Sequence, residues 1–163
     1  MKYSGILGGL AGATAITLIH ESIKHVVPKA PRMDLLSMSA LEKGLKSAGA
    51  DGLSRKALYS TALAGDLVSN SLYYAMAGLG KTKNVWVRSS ILGVAAGLSA
   101  VFLPGPMGLN EKHSSRTTAT AFMTIGLYVT GALVTAAVIK ALEGKKAKRE
   151  VEWERRLVTS SMG

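Results

Sequence analysis

LYSTALAGDLVSNSLYYAMAGLG, residues 58–80, reads as a membrane span with an acid inside it. A hydrocarbon core of about 30 Å takes about 20 residues at 1.5 Å rise each, and this stretch is long enough. Its one charged residue is Asp66. A carboxylate at membrane depth costs roughly 2.5–3.5 kcal/mol on insertion scales, so it turns toward protein or water and marks a site. Asp66 and Asn70 are four residues apart and share a helix face, with Tyr73 and Tyr74 about a turn further on. Asp66 lies roughly 12 Å inside the stretch, and Asn70 lies close to the midplane.

Three more apolar blocks flank this one: Gly5–Ile19, Val85–Leu103 and Ala119–Ile139. The first reaches spanning length if His20 to Ile23 continue the helix, with Glu21 near the interface or facing inward. In Val85–Leu103, Arg88 lies near the start, where its long side chain can snorkel to the headgroups. The pattern predicts an all-α polytopic membrane protein, a four-helix bundle. Its spans fall at about residues 4–25, 58–80, 85–103 and 118–142. Residues 1–144 form the membrane domain and residues 145–163 a charged tail that alternates basic and acidic residues. The connection after the first span carries Pro28 and Pro31, which break a helix. Ser39 and Glu42 fit a capping box. Leu41 and Leu45 follow one turn apart, so a short amphipathic helix on the membrane surface is expected over about 39–48, ended at Gly49.

Length and a mean hydropathy of +0.25 would also suit a soluble domain. The gathering of apolar residues into blocks, with the charges between them, argues for lipid. The absence of cysteine excludes disulfides, thiolate catalysis and thiolate metal sites. The first block follows Lys2 but has no small-residue cleavage site before His20, so it reads as a span rather than a signal peptide. The net charge of +10 fits loops lying against anionic lipid headgroups. Aromatic residues do not interleave the basic stretches, so no nucleic-acid platform is expected.

Four spans place both termini and the Lys81–Lys83 link on one side. Lys and Arg divide eleven to nine between that side and the other, a nearly balanced bias. The short basic link favours a cytoplasmic location for the termini. Small glycine-rich four-span chains are common in bacteria, and the expected home is the bacterial inner membrane.

Within this frame spans one and two meet at the side of the long connection, so His20 and Glu21 approach the level of Asp66. A His20–Asp66 pair is the expectation, with Asn70 and Tyr73 completing a polar bundle site. Glu21 can instead pair locally with Lys24 or His25. Arg88 enters from the opposite side, toward Asn70 or a tyrosine hydroxyl. At the turn reading PKAPRMD, Arg32 is a candidate for a lipid phosphate, with His113 and Arg116 on the same side. Gly5 with Gly9, Gly8 with Gly12, and Gly93 with Gly97 form small-residue stripes. Such stripes serve close packing of helices, within the chain or between copies.

Two near-motifs fail. His20-Glu21-Ser22-Ile23-Lys24-His25 sets its histidines five positions apart, about 140° round a helix, where a zinc pair needs four. Gly80-Lys81-Thr82 ends like a phosphate loop but follows a helix and lacks the earlier glycine. No nucleophile elbow occurs. Catalytic residues, metal ligands and cofactors are therefore not expected. Three functions remain open: a non-enzymatic packing or accessory protein, self-associating or bound to a membrane partner; a small proton- or cation-linked transporter; and a lipid-modifying enzyme. Membrane lipids are the common partner.

Overall fold

The computed structural model describes residues 3–50 and 52–161; Lys2 and the last two residues of the expected tail lie outside them. The described residues form helices joined by turns, with no strand among them. α1 is Tyr3–Ile23, α2 Met33–Ser47, α3 Arg55–Ala75, α4 Val85–Phe102, α5 Lys112–Ser115 and α6 Thr118–Ser161. Three segments are long and apolar enough to cross a membrane: Tyr3–Ile23, Thr82–Phe102 and Thr118–Trp153. The stretch read as the second span does not form one 23-residue helix. α3 begins at Arg55 and ends at Ala75, and the chain tightens into a 3-10 turn at Met76–Gly78. Its basic start, its serines, Asp66 and Asn70 dilute its apolar character, while the apolar residues after Ala75 fall outside the helix.

The helices pack as a curved row, α3–α1–α6–α4. The glycines decide this order. On α1, a Cβ at Gly5 would lie 3.3 Å from the Gly78 Cα, and one at Gly9 would lie 2.7 Å from the Ala75 nitrogen. On the adjoining face, about 60° round at ~100° per residue, a Cβ at Gly8 would lie 3.0 Å from the Thr135 carbonyl oxygen, and Gly12 lies against Gly131 and Thr135. Thus α1 has two flat faces, one for α3 and one for α6. Gly93 and Gly97 likewise bring α4 against α6, where an added Cβ would lie 2.6 Å from the Ala132 Cβ and 2.8 Å from the Ile125 Cα. Close backbone approach of this kind supplies dispersion contact where lipid offers no hydrophobic drive. All six glycines are used within one chain, so the stripes leave no glycine face on α1 for a second copy.

Tyr74 fills the centre of the row. It is fully buried among Ile16 and Ala132, and its hydroxyl donates to the Tyr128 carbonyl at 2.7 Å. Towards the link, Ala77, Val85, Ala136 and Ile139 close the interior. The link itself is a tight turn with Gly80 at φ +85°, in the left-handed region that glycine tolerates. Arg88 stays at this end. Its guanidinium donates to the carbonyls of Ala77 and Lys81 at 2.9 Å each, so it holds the turn rather than reaching Asn70 or a tyrosine.

The other end is built by α2 and the 103–117 connection. α2 starts six residues earlier than the capping pattern predicts. The Ser39 hydroxyl donates back to the Leu35 carbonyl at 2.7 Å instead of capping a helix start. The helix does end at Gly49, which is left-handed at φ +73°, with Ala50 N–H donating to the Leu45 carbonyl. α2 bridges the row: Leu36 and Met38 are buried, and Lys43 Nζ donates to the Met107 carbonyl at 2.5 Å. α6 runs unbroken for 44 residues, about 65 Å at 1.5 Å per residue. Its last third projects beyond the bundle as a helix rich in exposed charge.

Candidate functional site

Two polar groups face each other across the α2 end of the bundle. The first gathers at the end of α1. Lys24 Nζ lies 2.7 Å from the Glu21 carboxylate and 3.5 Å from that of Asp34. It also donates to the Tyr59 hydroxyl at 3.1 Å, while that hydroxyl donates to Glu21 at 2.7 Å. Arg32 makes a two-pronged contact with Asp34 at 3.0 and 2.9 Å, a strong charge-assisted geometry. Burial pushes the Asp34 carboxyl up, but the Arg32 hydrogen bonds and the Lys24 and Arg32 charges outweigh it and hold the group at about 2. Burial likewise pulls Lys24 down, and its bonds to Glu21 and Tyr59 together with the Asp34 charge raise it overall. The hydrogen bonds that Arg32 donates to Asp34 are the main cause that raises Arg32.

His20 belongs to this group and not to Asp66. Its Nε2 lies 3.2 Å from the Met33 N–H, which donates to it, and 3.2 Å from the Pro31 carbonyl. Its Nδ1 lies 3.4 Å from Glu21. A neutral ring with the proton on Nδ1 satisfies Glu21 and Met33 together. The expected His20–Asp66 pair is therefore not formed. The cause is α2, whose start meets His20 and whose next turn meets Asp66 from the other side.

Asp66 forms the second group. Ser37 of α2 donates to its Oδ2 at 2.5 Å, the one hydrogen bond to its carboxylate among the described residues. Asn70 lies one turn on. A narrow cavity of about 40 Å³ runs between the two groups, lined by His20, Glu21 and Asp34 at one end and by Asp66, Asn70 and Tyr128 at the other. That is room for one or two waters. On its other side Asp66 opens to a much larger groove of about 570 Å³ between α3 and α4. The groove exists because these neighbours in sequence hardly touch: each is held by the row rather than by the other. Tyr73 bridges the gap, its hydroxyl donating to the Leu92 carbonyl at 3.0 Å.

Comparisons with protein-family models, curated proteins and solved structures found no match. The site is read from its own chemistry.

The headgroup candidates Arg32, His113 and Arg116 do come together, but through structural bonds. The His113 carbonyl accepts from the Arg32 backbone N–H at 2.7 Å. Arg116 donates to the carbonyls of Pro28 and Ala30, which carry the proline turn. The Arg32 guanidinium is engaged by Asp34. Among the described residues no group of three or more His, Asp or Glu side chains could hold a metal ion. Sequence reasoning missed Ser37 and Tyr59, which have no local signal because their partners lie 29 and 38 residues away. The Glu21–Lys24 pair was legible from its helical spacing.

Proposed function

We propose that this chain is an integral membrane protein of four spans whose task is binding rather than catalysis, with Asp66 and Asn70 as the polar centre of its binding face. The observation that carries the fourth span is the packing of α3. α3 and the 3-10 turn that continues it lie antiparallel along the whole of α1, from Gly5 against Ala75 and Gly78 at one end to Glu21 and Lys24 against Tyr59 at the other. A helix locked side by side to a spanning helix over its full length spans with it. Its outward stripe of Ala64, Val68 and Leu72 is exposed and carries no charge, as lipid contact requires.

The observation that favours binding over proton or cation transport is where the polar path stops. The 40 Å³ cavity ends at Asn70 and Tyr128. From there to the link, Tyr74, Ala132, Ala136 and Ile139 fill the interior. A transported ion would need a continuous route of polar groups or water; among the described residues that half otherwise buries only the hydroxyls of Ser4, Ser89 and Thr135.

The test uses the absence of native cysteine. Lys46→Cys and Lys83→Cys each introduce a single exposed thiol for a membrane-impermeant label. Four spans place residues 46 and 83 on opposite faces of the membrane, so sealed vesicles should label one and protect the other. Labelling of both from the same face would mean that α3 does not cross, and the proposal would fall.

A further inference from the structure

The groove between α3 and α4 has the depth of one lipid leaflet. Its α3 wall runs from Thr61 to Tyr73, about 18 Å of helix at 1.5 Å per residue. α2 roofs one end through Leu36, Ser37 and Leu41. The bond from Tyr73 to the Leu92 carbonyl shuts the other. A partner's spanning helix needs the full ~30 Å of hydrocarbon and would collide with both closures. An acyl chain does not. The walls are flattened by Gly65, Ala96 and Ala100, and about 570 Å³ falls in the usual range of roughly 300–1,000 Å³ for small-molecule sites.

The head is specified by charge. Among the residues lining the groove, Asp66 alone is charged. Counting seven residues from the Tyr73–Leu92 tie, up each helix, reaches Asp66 on α3 and Ser99 on α4. The two walls thus present polar groups at one level, with Asn70 one turn deeper. Lys24 and Arg32 are engaged by Glu21 and Asp34 in the neighbouring group, and Lys43, at the α2 end of the groove, donates to the Met107 carbonyl. A phosphate or sulfate head beside Asp66 would meet a carboxylate with no cation among the groove-lining residues to offset it. An ammonium head would find a counter-ion in a low-dielectric site, where such a pair is strong if its remaining hydrogen bonds are met.

We propose that this groove binds a single-chain amphiphile with a cationic amine head, Asp66 pairing with the ammonium and Asn70 and Ser99 accepting its other N–H bonds, while the chain runs between α3 and α4 toward Tyr73. The site rests on the four-span reading, because only then does the groove open sideways into lipid.

The test places the purified full chain in phosphatidylcholine nanodiscs and titrates octylamine, octanol and octyl sulfate by calorimetry, a chain length that fits the roughly 10 Å of helix between Asp66 and Tyr73. Octylamine should bind saturably, one per chain, and at least ten-fold more tightly than the other two. Asp66→Asn, which keeps the size of the side chain, should weaken it at least ten-fold. Ala100→Phe, which fills the groove from the α4 wall, should do the same and carries the test if the first variant does not fold. Unchanged amine binding in a folded variant overturns the site. So does equal binding of the alcohol or the sulfate. Failure here with residues 46 and 83 on opposite faces removes the ligand and leaves the spans; labels on the same face remove the spans themselves.

Discussion

Asp34 is the residue on which the α2 end of the bundle turns. Held at about 2 against an ordinary value of 3.8, its carboxylate contributes stability that is fully present above pH 4–5. That contribution is lost as the pH falls through 3.8 toward 2, because the unfolded chain takes up the proton first. A shift of this size corresponds to about 2–3 kcal/mol. Acid titration of unfolding in detergent should therefore show wild type losing stability between about pH 5 and 2. Asp34→Asn should begin less stable by a similar amount at neutral pH and show a flatter acid limb. A wild-type profile as flat as the variant's would remove the ion cluster from the stability of the fold. The same reasoning with opposite sign applies to Lys24: its contribution is present at neutral pH and is lost only as the pH rises above 10.5. Glu21 and Lys24 could be paired from their spacing alone. Asp34 could be seen beside Arg32 in the proline turn, but its approach to Lys24 could not, because it depends on how Pro28 and Pro31 fold the chain back.

At the scale of the elements, glycine has two different uses in these helices. Gly9 is a contact residue: a Cβ there would press on the Ala75 backbone nitrogen from 2.7 Å, and neither backbone can yield without moving α3. Gly144 lies in α6 with nothing within 4 Å, so it only weakens its helix. Gly9→Ala should destabilise the bundle by about 1–3 kcal/mol, whereas Gly144→Ala should stabilise it by roughly 0.5–1 kcal/mol. Thermal unfolding of the two variants in the same detergent separates them, and equal effects would contradict the packing described for α1. A bulky residue at position 9 reports on folding before it reports on any association between copies. The stripes themselves were legible in sequence, since residues four apart share a face. Which neighbour each stripe meets was not. α2 shows the same limit: Ser39 and Glu42 have the right spacing for a cap, but Leu36 and Met38 find burial one turn earlier and draw the helix start back to Met33.

At the scale of the whole molecule, the outward surface decides the solvent. Phe122, Val87, Ile91 and Phe102 are each more than 60% exposed on the segments long enough to span, and a soluble protein avoids so large an apolar belt. The chain should therefore remain with membranes through carbonate washing and need detergent for extraction. A monodisperse protein in plain buffer by size-exclusion chromatography would contradict the membrane reading. Beyond the belt, α6 carries exposed basic residues from Lys140 to Arg149 on the same side as the Lys81–Lys83 link, so that end of the molecule is basic.

Local composition and period determined that this chain is helical, that three of its segments can cross lipid, and that one acid stands out of place in a fourth. These are properties of neighbours along the chain, and 3.6-residue periodicity and hydropathy need nothing more. Only the tertiary structure decided that α3 runs the length of α1 despite its diluted apolarity, that His20 meets Met33 while Asp66 meets Ser37, and that α3 and α4 stand apart around a groove. Those outcomes depend on close packing between helices distant in sequence, where a single methyl group at Gly9 or Gly93 would change which surfaces can meet.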